Sequence, residues 1–398
     1  MGFSVQNLEL LLLVAAVVAM VAKRLHIPYS VGLVLAGIGL ALLPGLHDIQ
    51  LTKNLIFTVL LPPLIFEAAF YLHWRELRNE FLLILSLATF GVMLSAGITA
   101  AGMHFLAHWE WAGALVFGIL IAATDPVAVI AVFKEAGVKG RLRVLVESES
   151  LFNDGTAAVG FGVALSIAMG QSVSFGCVVT SLALTVGGGI LCGAVMAGFV
   201  LLLAGRTTDH LIEITFTTVG AYGSFLLAEH FHFSGVLATL TAGLMMGNIG
   251  PMGPISDKGR AAVGSFWDYA AFVANSLIFL LIGMRETRLY HDVKWFPVIV
   301  AIVVVIAGRA VAIYPTCFLF SRSALRVSRR EQFILFWGGL RGALALALVL
   351  GLPEGLPRRE DIIITSFGVV AFSIFAQGLT IPPLLHGGRR SAEAHSDG

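Results

Sequence analysis

Charge is what this sequence has least of. Asp, Glu, Lys and Arg make up 12% of its 398 residues, and 58% are hydrophobic. A soluble domain carries about a quarter charged residues, so a soluble globule is excluded and a polytopic membrane protein is indicated. A mean hydropathy of +0.91 agrees. The two signs of charge balance to +1, which leaves no basic face for a nucleic acid. Cysteine is equally scarce. The three residues, Cys177, Cys192 and Cys317, all lie in apolar runs, which argues against a disulfide framework or a thiolate metal centre. No G-x-x-x-x-G-K-[ST] loop is present, so nucleotide-driven chemistry of that type is excluded. A cleavable signal is not expected either. The first apolar run, Leu8 to Ala22, flows into Lys23 and Arg24 without a small-residue cleavage site.

What is present is apolar sequence in membrane-length windows. There are thirteen, roughly 5–22, 27–43, 52–72, 81–106, 112–133, 144–169, 174–204, 210–229, 233–250, 261–283, 295–320, 330–350 and 361–385, with a short polar tail at 386–398. The window 174–204 is long for one span. Of the 25 Lys and Arg, seventeen fall in one alternating set of connections and six in the other (Lys53, Arg285, Arg288, Lys294, Arg358, Arg359); Arg309 and Arg341 lie inside spans. The positive-inside rule then puts the N-terminus outside and the C-terminus in the cytoplasm. An odd count gives the first six and last six spans opposite orientations, the arrangement of an inverted-repeat transporter whose site sits where interrupted helices meet. Two spans look interrupted. The fifth carries "AATDPVAV" (122–129), where Pro126 removes an amide and disfavours helix at Asp125. The twelfth carries "GGLRGA" (338–343), three glycines around an arginine.

Charge deep in a bilayer is costly and marks function by default. The charged residues within spans are few: Glu67, Asp125, Glu147, Glu149, Asp154, Glu213, Asp268, Arg309 and Arg341. Glu147 and Glu213 read as solvated helix ends, and Asp268 is unassigned. Asp154 is deeper. At helical spacing it shares a face with Ser150, while Glu149 and Asn153 share the adjoining face. Carboxylate, hydroxyl and freed carbonyl oxygens are what a hard cation takes, so Asp154, Ser150 and Thr124 form the candidate site for such an ion. Glu149 and Arg309 are each too costly alone and are the expected ion pair. Arg341, inside the second break, is placed to neutralise converging helix C-termini or Asp125. His104 and His108, beside Trp109 and Trp111, read as an interfacial aromatic belt rather than a metal pair. Gly189 and Gly193 allow a close helix contact, more in keeping with internal packing than with a dimer seam.

Four ordered segments carry a resemblance over nearly the whole chain: "LPPLIFEAAF" (61–70), "ATDPVAVIAVF" (123–133), "ESLFNDGTA" (149–157) and "GGLRGALALAL" (338–348). Together they resemble the monovalent cation/proton antiporter superfamily, in its NhaP/NHE-type sodium/proton antiporter branch. The resemblance implies an all-α polytopic membrane protein of about 13 transmembrane helices. Two inverted six-helix repeats with crossed discontinuous helices would form an NhaA-like fold. It implies a homodimer and an elevator-like core: helices about 52–169, 261–283, 295–320 and 330–385 as core, about 5–43 and 174–250 as dimerisation scaffold. Asp154 is then the ion- and proton-binding carboxylate, with Ser150 and Thr124 as ligands. Asn153 bridges the site, Asp125 stabilises the crossed breaks, Glu149 pairs with Arg309, and Glu67 lines the site or its access path. The Asn153–Asp154 pair implies electroneutral exchange of one Na⁺ or Li⁺ for one H⁺ in a bacterial inner membrane. No cofactor is implied, and no enzyme activity. Ser148 departs from the Gly of many relatives and touches fine tuning only. A K⁺/H⁺ antiporter on the same scaffold is the nearer alternative. A cation channel, or an intramembrane aspartyl protease using Asp125 and Asp154, is the more distant one.

Overall fold

A bilayer offers no water to the backbone, so a spanning chain satisfies its own amides, and helix is the local way to do so. The computed structural model describes residues 5–25, 27–42, 52, 54–125, 129, 133, 140–171, 175–289 and 294–384. No strand occurs among them. The helices are α1 (Val5–Leu25), α2 (Tyr29–Ala41), α3 (Leu55–Tyr71), α4 (Trp74–Ala107), α5 (Trp111–Leu120), α6 (Arg141–Ala168) and α7 (Phe175–Ala204) in the first part of the chain. α8 (His210–His230), α9 (Gly235–Ile249), α10 (Asp257–Leu289), α11 (Trp295–Leu319), α12 (Arg329–Trp337), α13 (Ala343–Leu350) and α14 (Arg359–Leu384) follow.

Seven of these are long and apolar enough to cross a membrane: α4, α6, α8, α11, α14 and most of α7 and α10. α2, α3 and α5 are shorter apolar helices. The long window at 174–204 is one continuous helix of 30 residues. The fifth window is interrupted after Leu120, with 121–125 non-helical, and the twelfth divides into α12 and α13 with 338–342 between them. Pro126, the tail 386–398 and the side chain of Cys177 lie outside the described residues.

Prolines and glycines decide where these helices bend and touch. α3 opens with a wide turn over Leu55–Leu60, directly ahead of Pro62 and Pro63. Pro63 has no amide to give to the carbonyl of Val59, four residues back. The hydroxyl of Tyr222 donates to that carbonyl instead, at 3.0 Å. α2 and α10 cross at a pair of glycines. A Cβ on Gly37 would overlap the carbonyl oxygen of Leu280, and one on Gly283 would overlap that of Val34. Backbone cannot step aside as a side chain can. We therefore expect Gly283→Ala to cost about 1–3 kcal/mol through overpacking, read as a lower midpoint in detergent denaturation of the purified protein. Gly193 is pressed in the same way against the carbonyl of Ala238, so the small-residue stripe of α7 is an internal seam against α9.

Two groups of helices result. α2 packs chiefly on α10, α3 on α9, and α7, α8 and α9 on one another. α4 packs on α11 and α5, and α5 on α6. α3 and α10 thus lean on the α2 and α7–α9 group. The ends of α6 and α8 are not solvated as the sequence suggests. Glu213 is fully buried and accepts from the Ser256 amide at 3.1 Å, because the turn before α10 folds over it. Glu147 is also buried and is ion-paired with Arg143, one turn back on α6.

Candidate functional site

The two breaks lie against each other. The amide of Asp125 donates to the carbonyl of Leu340 at 2.6 Å. A Cβ on Gly342 would overlap the carboxyl of Asp125, so the glycine is what lets one unwound segment seat on the other. Arg341 completes the crossing. Its Nη1 donates to the carbonyls of Ala122 and Ala123, at 2.6 and 3.0 Å. Those carbonyls follow the end of α5, where helix dipoles concentrate negative charge and the α-helical ladder has stopped. The guanidinium therefore sits on a helix C-terminus.

α6 runs past this crossing and presents Glu149, Ser150, Asn153 and Asp154 to it, all buried. The hydroxyls of Thr124 and Ser150 lie 2.9 Å apart. Asn153 accepts from the Thr124 amide through Oδ1 at 3.2 Å. Its Nδ2 reaches the Thr124 hydroxyl at 2.6 Å and Glu149 Oε1 at 3.1 Å. One carboxamide thus fixes the unwound strand to the helix and to the neighbouring acid. Asp154 is 5% exposed, and its Oδ1 accepts no hydrogen bond among the described residues. Together with Thr124, Asp125 and Gly342 it lines a small cavity walled by Leu61, Leu64 and Leu151.

Glu149 is spoken for. Arg309 binds it through both nitrogens, Nη1 to Oε1 at 2.7 Å and Nη2 to Oε2 at 2.9 Å, and Nη2 also donates to the Leu335 carbonyl at 2.9 Å. The planar fork matches the carboxylate edge for edge. The carboxylate of Asp154, which lines the cavity with an oxygen that accepts no hydrogen bond among the described residues, can offer that oxygen to a small cation or to a proton.

A family model described as "Sodium/hydrogen exchanger, transmembrane" matches residues 10–387. The chain belongs to the sodium/hydrogen exchanger family. It is 36% identical over 389 residues to the Na(+)/H(+) antiporter ApNhaP of Aphanothece halophytica, covering 96% of this chain and 74% of that one. It is 34% identical to the Na(+)/H(+) antiporter NhaH of Halobacillus aidingensis, with 94% and 96% covered. The fold matches the sodium proton antiporter MjNhaP1 from Methanocaldococcus jannaschii at pH 8 with a TM-score of 0.78, at 20% identity and covering 96% and 97% of the two chains. This is a family of multi-pass membrane transporters, not of enzymes.

Within this exchanger, Glu67 stands apart from the cluster. It is half-buried on α3 and does not line the Asp154 cavity. His104 is likewise elsewhere, with its Nδ1 2.7 Å from the Trp109 carbonyl oxygen and its ring stacked 4.2 Å from Trp111. Two residues were missed. Ser373 Oγ accepts from the Arg341 amide at 2.9 Å and donates to Gln377 Oε1 at 2.8 Å. Gln377 Nε2 in turn donates to the Trp337 carbonyl at 3.3 Å. This pair secures the second break from behind. Its signal is a polar Ser and Gln four apart in the otherwise apolar "SIFAQ" (373–377).

Proposed function

We propose that this exchanger is a secondary antiporter that trades Na⁺ or Li⁺ for H⁺ across the membrane, with cation and proton competing for Asp154. The observation that carries this is a buried carboxylate with an oxygen that accepts no hydrogen bond, beside a Thr124–Ser150 hydroxyl pair, in a cavity where two helices are interrupted. A hard cation asks for such oxygens, and a proton asks for one of them. Each occupant leaves only when the other replaces it, which is exchange without nucleotide chemistry. Because Glu149 is neutralised by Arg309 and Arg341 rests on carbonyls, one turnover carries one charge each way, in keeping with electroneutral 1:1 exchange. Thr124 and Ser150 act as ligands, Asn153 as the bridge, Asp125 as the stabiliser of the crossing, and Glu67 as a residue of the approach rather than of the cavity wall. The relatives, named as antiporters of Na⁺ and H⁺, favour the same reading.

Alternating access by an elevator-like movement fits the two helix groups. In our assignment α3 and α10 go with the α1, α2 and α7–α9 scaffold, against which they pack most closely, and α4–α6 with α11–α14 form the moving core. Thirteen spans in two inverted repeats, a homodimer, a bacterial inner membrane, and an N-terminus outside with the C-terminus inside complete the proposal. The test is collapse of a preset pH gradient in proteoliposomes on addition of Na⁺, Li⁺ or K⁺. We expect collapse by Na⁺ and Li⁺ and none by K⁺, unaltered by a clamped membrane voltage. Collapse by K⁺ alone would make the chain a potassium/proton antiporter on the same site. Rates that follow the clamped voltage would end the electroneutral assignment.

A further inference from the structure

Three cavities line up along two antiparallel helices. The first is a polar vestibule that takes Val144 and Glu147 from α6, Tyr71 from the end of α3, and Asp268 from α10. The second is the Asp154 cavity, which takes Leu151 and Asp154 from α6 and Leu61, Leu64 and Ile65 from the middle of α3. The third lies beyond it and takes Ala158 and Phe161 from α6, Phe57 and Thr58 from the start of α3, and Asn54 just before it. On α6 the numbers 144, 147, 151, 154, 158 and 161 step by three and four, which makes one stripe along one face of the helix. On α3 they descend as those on α6 climb. The seam between the two helices is therefore lined by cavities from one end to the other, and Asp154 is in the middle compartment.

Side chains on the stripe separate the compartments. Glu147 and Asp154 are seven residues apart, about 10 Å along the helix axis, and Leu151 lies between them on the same face. Leu151 is 1% exposed and forms part of the wall of the Asp154 cavity. No polar atom on its side chain can replace the water around a cation. On the far side the step to the third cavity passes Ala158, whose side chain is a single methyl group. The obstruction is lopsided: a leucine toward the polar vestibule and an alanine toward the opposite one.

We propose that the substrate's route runs in the seam between α3 and α6, and that Leu151 is the barrier that isolates the Asp154 cavity from the polar vestibule. The inference rests on the reading of Asp154 as the ion site. Leu151 contributes no ligand. It positions the closed state by keeping water and cations out of the compartment until the helices shift.

The first test is labelling with a membrane-impermeant cationic thiol reagent, in a background with Cys177, Cys192 and Cys317 changed to alanine. Glu147→Cys should be modified from one side of the membrane and Ala158→Cys from the other. Val146→Cys, buried on α6 and in the lining of none of the three cavities, should resist both. The second test is the proton leak of proteoliposomes without exchangeable cation. Leu151→Ala should raise it on the order of tenfold, Leu151→Met should restore wild-type tightness, and Leu151→Trp should block exchange. Leu151→Val serves if the alanine variant does not fold, with a smaller rise expected. Modification of positions 147 and 158 from the same side, or of Val146→Cys as fast as either, overturns the route. Wild-type leak in both small variants together with wild-type exchange in Leu151→Trp overturns the barrier. The labelling does not involve Asp154. Normal exchange by Asp154→Ala would thus remove the ion site while leaving the seam standing.

Discussion

Asp154→Ala and Asp154→Asn should both yield folded protein that no longer exchanges cations for protons. We expect a loss of at least about a hundredfold, equivalent to roughly 3 kcal/mol of lost interaction, measured as pH-gradient collapse by Na⁺ in proteoliposomes. The alanine variant removes both the charge that holds a cation and the group that carries the proton. The asparagine variant keeps the shape and a carbonyl oxygen but cannot take up or release a proton, so it fails by the second route alone. Stability should move the other way. A carboxyl that is buried with an unbonded oxygen is a burden on the fold, so thermal unfolding of the asparagine variant should occur at or above the wild-type temperature. Exchange at wild-type rates in either variant would refute the assignment of this carboxyl as the transported ion's ligand.

The second large effect is on stability. Arg309→Ala strips Glu149 of two donors at 2.7 and 2.9 Å and leaves a carboxylate that is 1% exposed with Asn153 as its remaining side-chain donor among the described residues. Removing one member of a buried ion pair costs about 3–5 kcal/mol, because the remaining charge keeps its desolvation and loses its compensation. The Leu335 carbonyl also loses a donor. Adding Glu149→Ala to Arg309→Ala should return part of the loss. Arg309→Lys should fall between, since an ammonium cannot address two carboxylate oxygens and a carbonyl in one plane. The check is a double-mutant cycle by denaturation in detergent. Strictly additive losses would mean that the two side chains stabilise the fold independently.

The helical, membrane-embedded character of the chain was legible because it is written in composition, which each window repeats. The interruptions were legible for a different reason. Glycine clustering around Arg341 and the proline after Asp125 act on the backbone locally, so their effect does not wait on packing. Other features depend on partners and left little trace. The sequence gives no reason for the Tyr222 hydroxyl to serve the Val59 carbonyl, because the need arises from Pro63 on one helix and is met from another. Ser373 and Gln377 look like ordinary polar residues in a long apolar helix until the second break is seated on them. Which helices pack on one another was the least legible of all. Apolar surface that meets lipid and apolar surface that meets another helix have the same composition. α3 and α10 therefore carried no mark of the neighbours they chose beyond the glycines at their crossings. Glu213 was misread as solvated for a related reason, since the turn that covers it lies 43 residues further along.

The crossing of the two breaks also bears on how the protein is made. Asp125 leaves the ribosome long before Leu340, and the contacts that tie Arg341 to Ala122 and Ala123 span 219 and 218 residues of chain. While the later helices are still being synthesised, the first half is already in the membrane with an unwound segment, bare carbonyls after α5 and a Glu149 that has no arginine. Such a half-molecule is a client for whatever shields polar groups in a bilayer during insertion, and it is a target for quality control if the second half is late. The same interval gives protection. Under the proposed role of Asp154, a nascent chain without the second break has no assembled ion compartment through which to dissipate the proton gradient.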